Sequence, residues 1–132
     1  MLYLRKLVRE KLFGTDGVRG VAGRYPLDPP TVARLGTALV EILDVKGLAG
    51  RILVGRDTRA SGEMLQHAVT CGLLAAGCEV VDVGILPTPT IQIYTGGTHA
   101  RGGIAITASH NPLQYNALKL FNAEGLFFNS YE

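Results

Sequence analysis

Gly102-Gly103-Ile104-Ala105-Ile106-Thr107-Ala108-Ser109-His110-Asn111-Pro112 is an apolar run that breaks abruptly into a polar loop closed by a proline. The run does not alternate apolar with polar, so it reads as a strand over 103–107 covered on both faces. Upstream the same arrangement recurs. Arg51-Ile52-Leu53-Val54-Gly55 is a short apolar strand that runs into the polar turn Arg56-Asp57-Thr58-Arg59, and Glu79-Val80-Val81-Asp82-Val83-Gly84 reads as another strand.

Helical patterns separate these strands. Over 29–45, Val32, Leu35, Leu39 and Ile42 recur at helical spacing, Asp28 can cap the segment, and Pro29 suits its first turn. A second helix is expected over 62–76, with Ser61 as its cap, Glu63 in its first turn and Gly77 as its stop. Thr88-Pro89 opens a third, shorter helix that carries Ile91 and Tyr94 and ends at Gly96-Gly97. A fourth strand, 116–121, follows the serine loop after a connection too short for a parallel crossover, so it must pair antiparallel or lie apart. The expected class is α/β: a three-layer domain with a mixed, mostly parallel four-stranded sheet between helices.

Composition bounds the function. The chain has 132 residues, 47% of them hydrophobic and 18% charged, with 13 Lys plus Arg against 11 Asp plus Glu, which suits one folded domain with a real core. No basic run interleaved with aromatics points to a nucleic acid. No stretch approaches the 18 or so apolar residues of a membrane helix, and Met1-Leu2-Tyr3-Leu4-Arg5-Lys6 lacks a signal-like apolar core, so the expectation is no membrane and a cytoplasmic location. Cys71 and Cys78 lack metal-ligand spacing and read as buried free thiols. Ser130-Tyr131-Glu132 has the character of a helix start, which suggests a chain cut near the end of a first domain.

In open α/β sheets, functional groups gather beyond the carboxyl ends of the strands, which singles out 56–59, 86–88 and 107–112. Ser109 is the candidate reactive group. A Ser–His hydrolase is disfavoured, because adjacent residues in extended chain point opposite ways and Gly-x-Ser-x-Gly is absent. A phosphoryl carrier needs backbone N–H groups, nearby cations and usually a divalent metal; the alternative is a serine that merely closes a turn. In Phe13-Gly14-Thr15-Asp16-Gly17-Val18-Arg19-Gly20 the glycines permit close backbone approach, and Arg19 offers a bidentate donor pair to a phosphate or else lies solvated on a turn. Asp16 reads as a turn-forming or arginine-pairing residue. Lys119, flanked by Leu118 and Leu120, suits proton transfer if desolvated, or snorkels from an edge strand. Arg56-Asp57-Thr58-Arg59 reads first as a salt-bridged turn and second as a source of positive field.

Phe13 to Gly20, Gly55 to Ser61, Leu86-Pro87-Thr88-Pro89 and Gly103 to Pro112, backed by Tyr115-Asn116 and Lys119, resemble in order and spacing the first domain of the α-D-phosphohexomutase superfamily. The resemblance runs from about Lys11 onward and implies that residues 1–132 are domain I, the phosphoserine-bearing part of a four-domain enzyme. It implies that Ser109 carries a phosphoryl group and passes it to a hexose phosphate substrate through a hexose 1,6-bisphosphate, which also acts as activator. It further implies catalytic roles for Ser109, His110, Lys119 and Arg19, and substrate contacts from Arg19, His110, Asn111 and Lys119. Mg²⁺ would be held by Ser109 through its phosphate and by carboxylates of a second domain, the partners being the remaining three domains. The family's Asp-x-Asp-x-Asp-like metal loop is absent from this sequence, so the fragment alone is expected to be inactive. Phe13–Gly20 and Leu86–Pro89 are similar to phosphoglucosamine mutases, whereas Gly-Gly-Ile and Thr-Ala-Ser-His-Asn-Pro are similar to the phosphomannomutase/phosphoglucomutase branch. The reading leans to the latter, with phosphoglucosamine mutase as the alternative.

Overall fold

The computed structural model describes residues 12–14, 17–45 and 50–128. Asp16, the N-terminal segment before Leu12, and Ser130 to Glu132 lie outside the described residues. In chain order the elements are β1 (Gly17–Val21), α1 (Pro29–Val45), β2 (Arg51–Arg56), α2 (Ser61–Ala75), β3 (Glu79–Ile85), α3 (Thr88–Gly97), β4 (Gly102–Ile106) and β5 (Tyr115–Phe121).

The strands form one five-stranded sheet in the order β1-β5-β4-β2-β3. β2 pairs parallel with both β3 and β4, while β5 pairs antiparallel with β4 and with β1. This corrects the expected four-stranded, mostly parallel sheet: a fifth strand is present, and half of the pairings are antiparallel. The missing strand is β1. Its sequence, Gly-Val-Arg-Gly-Val, is too rich in glycine to read as a strand on propensity. Tertiary context overrides that propensity, and β1 runs alongside β5 from Gly17 opposite Lys119 to Val21 opposite Tyr115. The glycine at its start is required by the pairing, because a Cβ on Gly17 would collide with the Leu118 carbonyl. β5 therefore lies inside the sheet and not at its edge, which removes the edge-strand reading of Lys119.

Side chains alternate across the strands and divide the core between two faces. Ile52, Val54, Ile104, Ile106 and Leu118 pack with Val32, Leu39 and Leu43 of α1 and Leu65, Val69 and Leu73 of α2. Burying a side chain of this kind stabilises by about 1.5–3 kcal/mol relative to exposing it, so this larger cluster dominates the fold. α1 and α2 approach closely because Gly72 lies against the backbone of Ala33, where any side chain would collide, and Thr37 donates its hydroxyl to the Gly72 carbonyl at 3.1 Å. The opposite face is thinner. There α3 packs on β2 and β4, and Ile91 meets Ala105 and Phe121.

Local expectations fared unevenly. The Asp28 carboxylate caps α1 by accepting from the Thr31 N–H at 3.2 Å and from the Thr31 hydroxyl at 2.9 Å. Ser61 does not cap α2; its oxygen accepts instead from Asn116 Nδ2 at 2.9 Å, which ties the helix start to β5. Ile42 is exposed, and Leu43 and Val40 take the buried stripe in its place. Cys78 is buried, but Cys71 lies on the exposed side of α2. Burial pushes the Cys78 thiol up, opposed by hydrogen bonding with the backbone of Ile52 and Gly50, so it stays a neutral thiol. Among the described residues no helix is long and apolar enough to cross a membrane.

Candidate active site

β2 and β4 are parallel neighbours, so the segments that leave their carboxyl ends emerge side by side. The Asp57 N–H continues the ladder by donating to the Ile106 carbonyl at 3.1 Å. Beyond it the contacts pass to side chains. The Thr107 hydroxyl donates to Asp57 Oδ2 at 2.6 Å, and its oxygen accepts from the Ser109 N–H at 3.2 Å. Asp57 Oδ1 accepts from the Arg59 N–H at 3.0 Å. Two of the segments that topology singled out, 56–59 and 107–112, are thus joined into one structure.

Arg59 crosses beneath the serine loop. Its Nη1 donates to the carbonyls of Pro112 at 2.8 Å and Tyr115 at 3.0 Å, and its Nη2 to those of Ser109 at 3.1 Å and Asn111 at 2.7 Å. Its Nε faces Asp57 Oδ2 at 3.5 Å. The salt-bridged turn expected at 56–59 is present, yet most of this guanidinium serves the loop. Sequence reasoning missed that role. The one available signal was that both polar segments follow apolar strands, but nothing in the sequence showed those strands to be neighbours. Arg56 turns the other way, its Nε donating to Gln66 Oε1 of α2 at 2.8 Å.

Held in this way, Ser109 adopts φ 51°, the left-handed region that serine seldom occupies, and is exposed. Its Oγ lies 3.2 Å from Lys119 Nζ. Lys119 is only 8% exposed, on the sheet face it shares with Ala105 and Phe121, so its ammonium reaches the serine through the core of the strand end. Across the β1–β5 pair Gly17 faces Lys119 and Arg19 faces Ala117, so Arg19 stands on the same face two residues further along. Arg19 is exposed and makes no hydrogen bond or ion pair among the described residues.

The remaining sequence candidates occupy the same loop. His110 is exposed at its tip, and no hydrogen bond joins it to Ser109 among the described residues. Asn111 contributes its backbone: its N–H donates to the Ala108 carbonyl at 3.0 Å and its carbonyl accepts from Arg59. The structure therefore brings Ser109, Lys119, His110 and Asn111 together, with Arg19 on the adjoining strand. Among the described residues no group of three His, Cys, Asp or Glu could hold a metal ion. Asp57, the carboxylate built into the loop, is occupied by Thr107 and Arg59.

Residues 10–131 match the family model described as phosphoglucomutase/phosphomannomutase, alpha/beta/alpha domain I. A phosphoglucomutase/phosphomannomutase from Thermococcus kodakarensis is 50% identical over 117 residues, covering 88% of this chain and 25% of the relative. A phosphoglucosamine mutase from Deinococcus deserti is 46% identical over 115 residues, covering 87% of this chain and 26% of the relative. This chain thus spans about a quarter of the length of the curated relatives it matches. Among solved structures, a Thermus thermophilus protein superposes with a TM-score of 0.82 at 36% identity, covering 90% of this chain and 27% of that one. A phosphoglucomutase/phosphomannomutase family protein from Burkholderia thailandensis gives 0.77 at 31% identity, covering 89% and 27%. With its sheet, its serine loop and nearly all of its length matched, the chain belongs to the α-D-phosphohexomutase superfamily, as domain I.

Proposed function

We propose that this domain carries the phosphoryl group, on Ser109, in an enzyme that moves phosphate between O1 and O6 of a hexose phosphate. The observation that carries the reading is the 3.2 Å contact between Ser109 Oγ and the Nζ of the mostly buried residue Lys119, in a loop fixed from beneath. In the forward step the phosphoserine O–P bond breaks and a new O–P bond forms to a sugar hydroxyl. Lys119 donates to the serine oxygen and steadies the charge left there as phosphorus departs. The sugar hydroxyl's proton passes to a base on the open side, where His110 stands exposed. The bisphosphate then turns and returns its other phosphoryl group to Ser109 by the reverse path. Arg19, whose side chain makes no hydrogen bond or ion pair among the described residues, holds a phosphate on the adjoining strand.

Mg²⁺ suits this site only in part. The fitting ligand from this chain is a phosphate oxygen on Ser109, and its other ligands belong to the rest of the enzyme. Bound there, the ion would offset charge on the transferring group. The isolated domain is accordingly expected to fold but not to turn over, and the three further domains are its partners.

On substrate, the relatives shift the balance away from the phosphomannomutase/phosphoglucomutase leaning of the sequence. Phosphoglucosamine mutases from Deinococcus deserti, Histophilus somni and Aeromonas hydrophila match at 45–47% identity, beside the phosphoglucomutase/phosphomannomutase at 50%. Glucosamine phosphate is therefore the substrate we put first. The test uses the full enzyme that carries this domain. Peptide mapping after incubation with a hexose 1,6-bisphosphate should show about 80 Da added at Ser109. Turnover should favour glucosamine phosphate over mannose or glucose phosphate. An unmodified Ser109 would sink the carrier reading, and a preference for glucose or mannose phosphate would sink the substrate choice alone.

A further inference from the structure

We infer that Arg59 is the positioning residue of the serine loop: it sets the place of Ser109 and takes no part in binding substrate. A guanidinium has five N–H donors. Here Nη1 and Nη2 serve four carbonyl oxygens, those of Ser109, Asn111, Pro112 and Tyr115, and Nε faces Asp57. Four of the five donors bond carbonyl oxygens, the fifth lies in ion-pair range of Asp57 at 3.5 Å, and the side chain is only 9% exposed. Nothing is left with which Arg59 could grip a phosphate.

The arrangement has an electrostatic consequence. Four carbonyls that would present their negative ends around Ser109 are turned inward onto one positive charge. A dianionic phosphate on Ser109 is then spared their repulsion. The fork also explains how the loop keeps Ser109 at φ 51°. Such a conformation persists only where its surroundings over-determine it, and the loop is pinned on either side of His110, at Ser109 and at Asn111. Lysine could not substitute. It offers three donors from a single nitrogen, whereas these carbonyls are spread along seven residues of chain from Ser109 to Tyr115.

This inference rests on the phosphoryl-carrier reading for its catalytic consequence but not for its structural one, so the test has two arms. In the full enzyme, Arg59→Met and Arg59→Lys are compared with wild type by amide exchange and by labelling of Ser109 from radiolabelled hexose 1,6-bisphosphate. The reporters are the N–H groups of Asn111 and Tyr115, which close turns onto Ala108 and Pro112. Both variants should lose protection there by about 100-fold while β4 amides stay protected, and the Ser109 labelling rate should fall by about 100-fold. kcat should fall with it, and KM for the hexose phosphate should stay within about threefold. If Arg59→Lys keeps both loop protection and labelling near wild type, the fork is not needed and the inference fails. General loss of protection in both variants would also overturn it, because the effect is then not confined to the loop. If wild type takes no label at all, the carrier reading fails, and the exchange arm still decides the role of Arg59.

Discussion

Two arginines flank the candidate site, and they have opposite fates. Arg59 is nearly buried, bonds four carbonyls of the serine loop through Nη1 and Nη2, and pairs with Asp57 through Nε. Arg19 is exposed on β1 and makes no hydrogen bond or ion pair among the described residues. The same difference separates the two faces of the sheet. One face is sealed by α1 and α2 around the large apolar cluster; the other carries the short α3 over β2 and β4, and it is on this face that Lys119 and Arg19 stand. Rigidity has been built beneath the serine, and beside it stands a charge with no partner among the described residues. On the proposed function, an anchor and a ligand-binding group share a side chain type and differ in how many donors the described structure engages.

The largest effect expected is on chemistry and not on structure. Ser109→Ala in the full enzyme removes the carrier oxygen and should lower turnover by at least about 10⁴-fold. The Asn111 and Tyr115 amides of the loop that Arg59 holds should stay as protected as in wild type. Residual mutase activity within tenfold of wild type would mean that the phosphoryl group travels without this serine.

Lys119→Met comes next. Methionine can follow the path of the lysine stem through the strand end while deleting the contact to Ser109 Oγ. Single-turnover transfer from phosphorylated Ser109 should slow by about 10²- to 10³-fold, the range expected of a positioned proton donor. Amides of β5 should be unchanged. A variant that transfers at the wild-type rate would show Lys119 to be a structural cation.

Arg19→Met tests the other half of the comparison. Losing charge-assisted bonds to a phosphate should weaken kcat/KM by about 10- to 100-fold. Because Arg19 supports nothing in the described structure, stability should move by no more than about 0.5 kcal/mol. If thermal denaturation instead drops as sharply for Arg19→Met as for Arg59→Met, the division into anchor and ligand-binding arginine collapses.

The sequence made the helices and four of the strands legible because each advertised itself locally. Asp28-Pro29 announced the start of α1, and Gly102–Ile106 announced a doubly covered strand by its unbroken apolar run. β1 was not legible, since Gly17-Val18-Arg19-Gly20-Val21 owes its strand form to β5 and not to its own propensity. Missing it also left the edge-strand alternative for Lys119 open. The chemistry-bearing residues of the site stood out as types at suggestive places: a serine at a strand mouth, a lysine among leucines, an arginine among glycines. Arg59 did not. Its partners are backbone carbonyls, which have no sequence signature, and its nearness to the loop depends on β2 and β4 being neighbours, a fact of topology.

The smallest effect expected has the opposite sign, and it asks how much the anchor is holding. Ser109 sits at φ 51°, where a residue with a Cβ is disfavoured by about 1–2 kcal/mol and glycine is not. Ser109→Gly should therefore relax the loop at the cost of all phosphoryl transfer. Part of that gain is returned because glycine loses more backbone freedom on ordering, so a net of about 0.5–1 kcal/mol is expected. It would register as roughly two- to fivefold slower exchange at the Asn111 and Tyr115 amides. In an Arg59→Lys background the same substitution should do less, because a loop no longer pinned at the Ser109 and Asn111 carbonyls has less reason to hold residue 109 in the left-handed region. Equal gains in both backgrounds would mean that the strain at Ser109 is set by Asp57 and Thr107 alone, and that the guanidinium beneath the loop restrains it without shaping it.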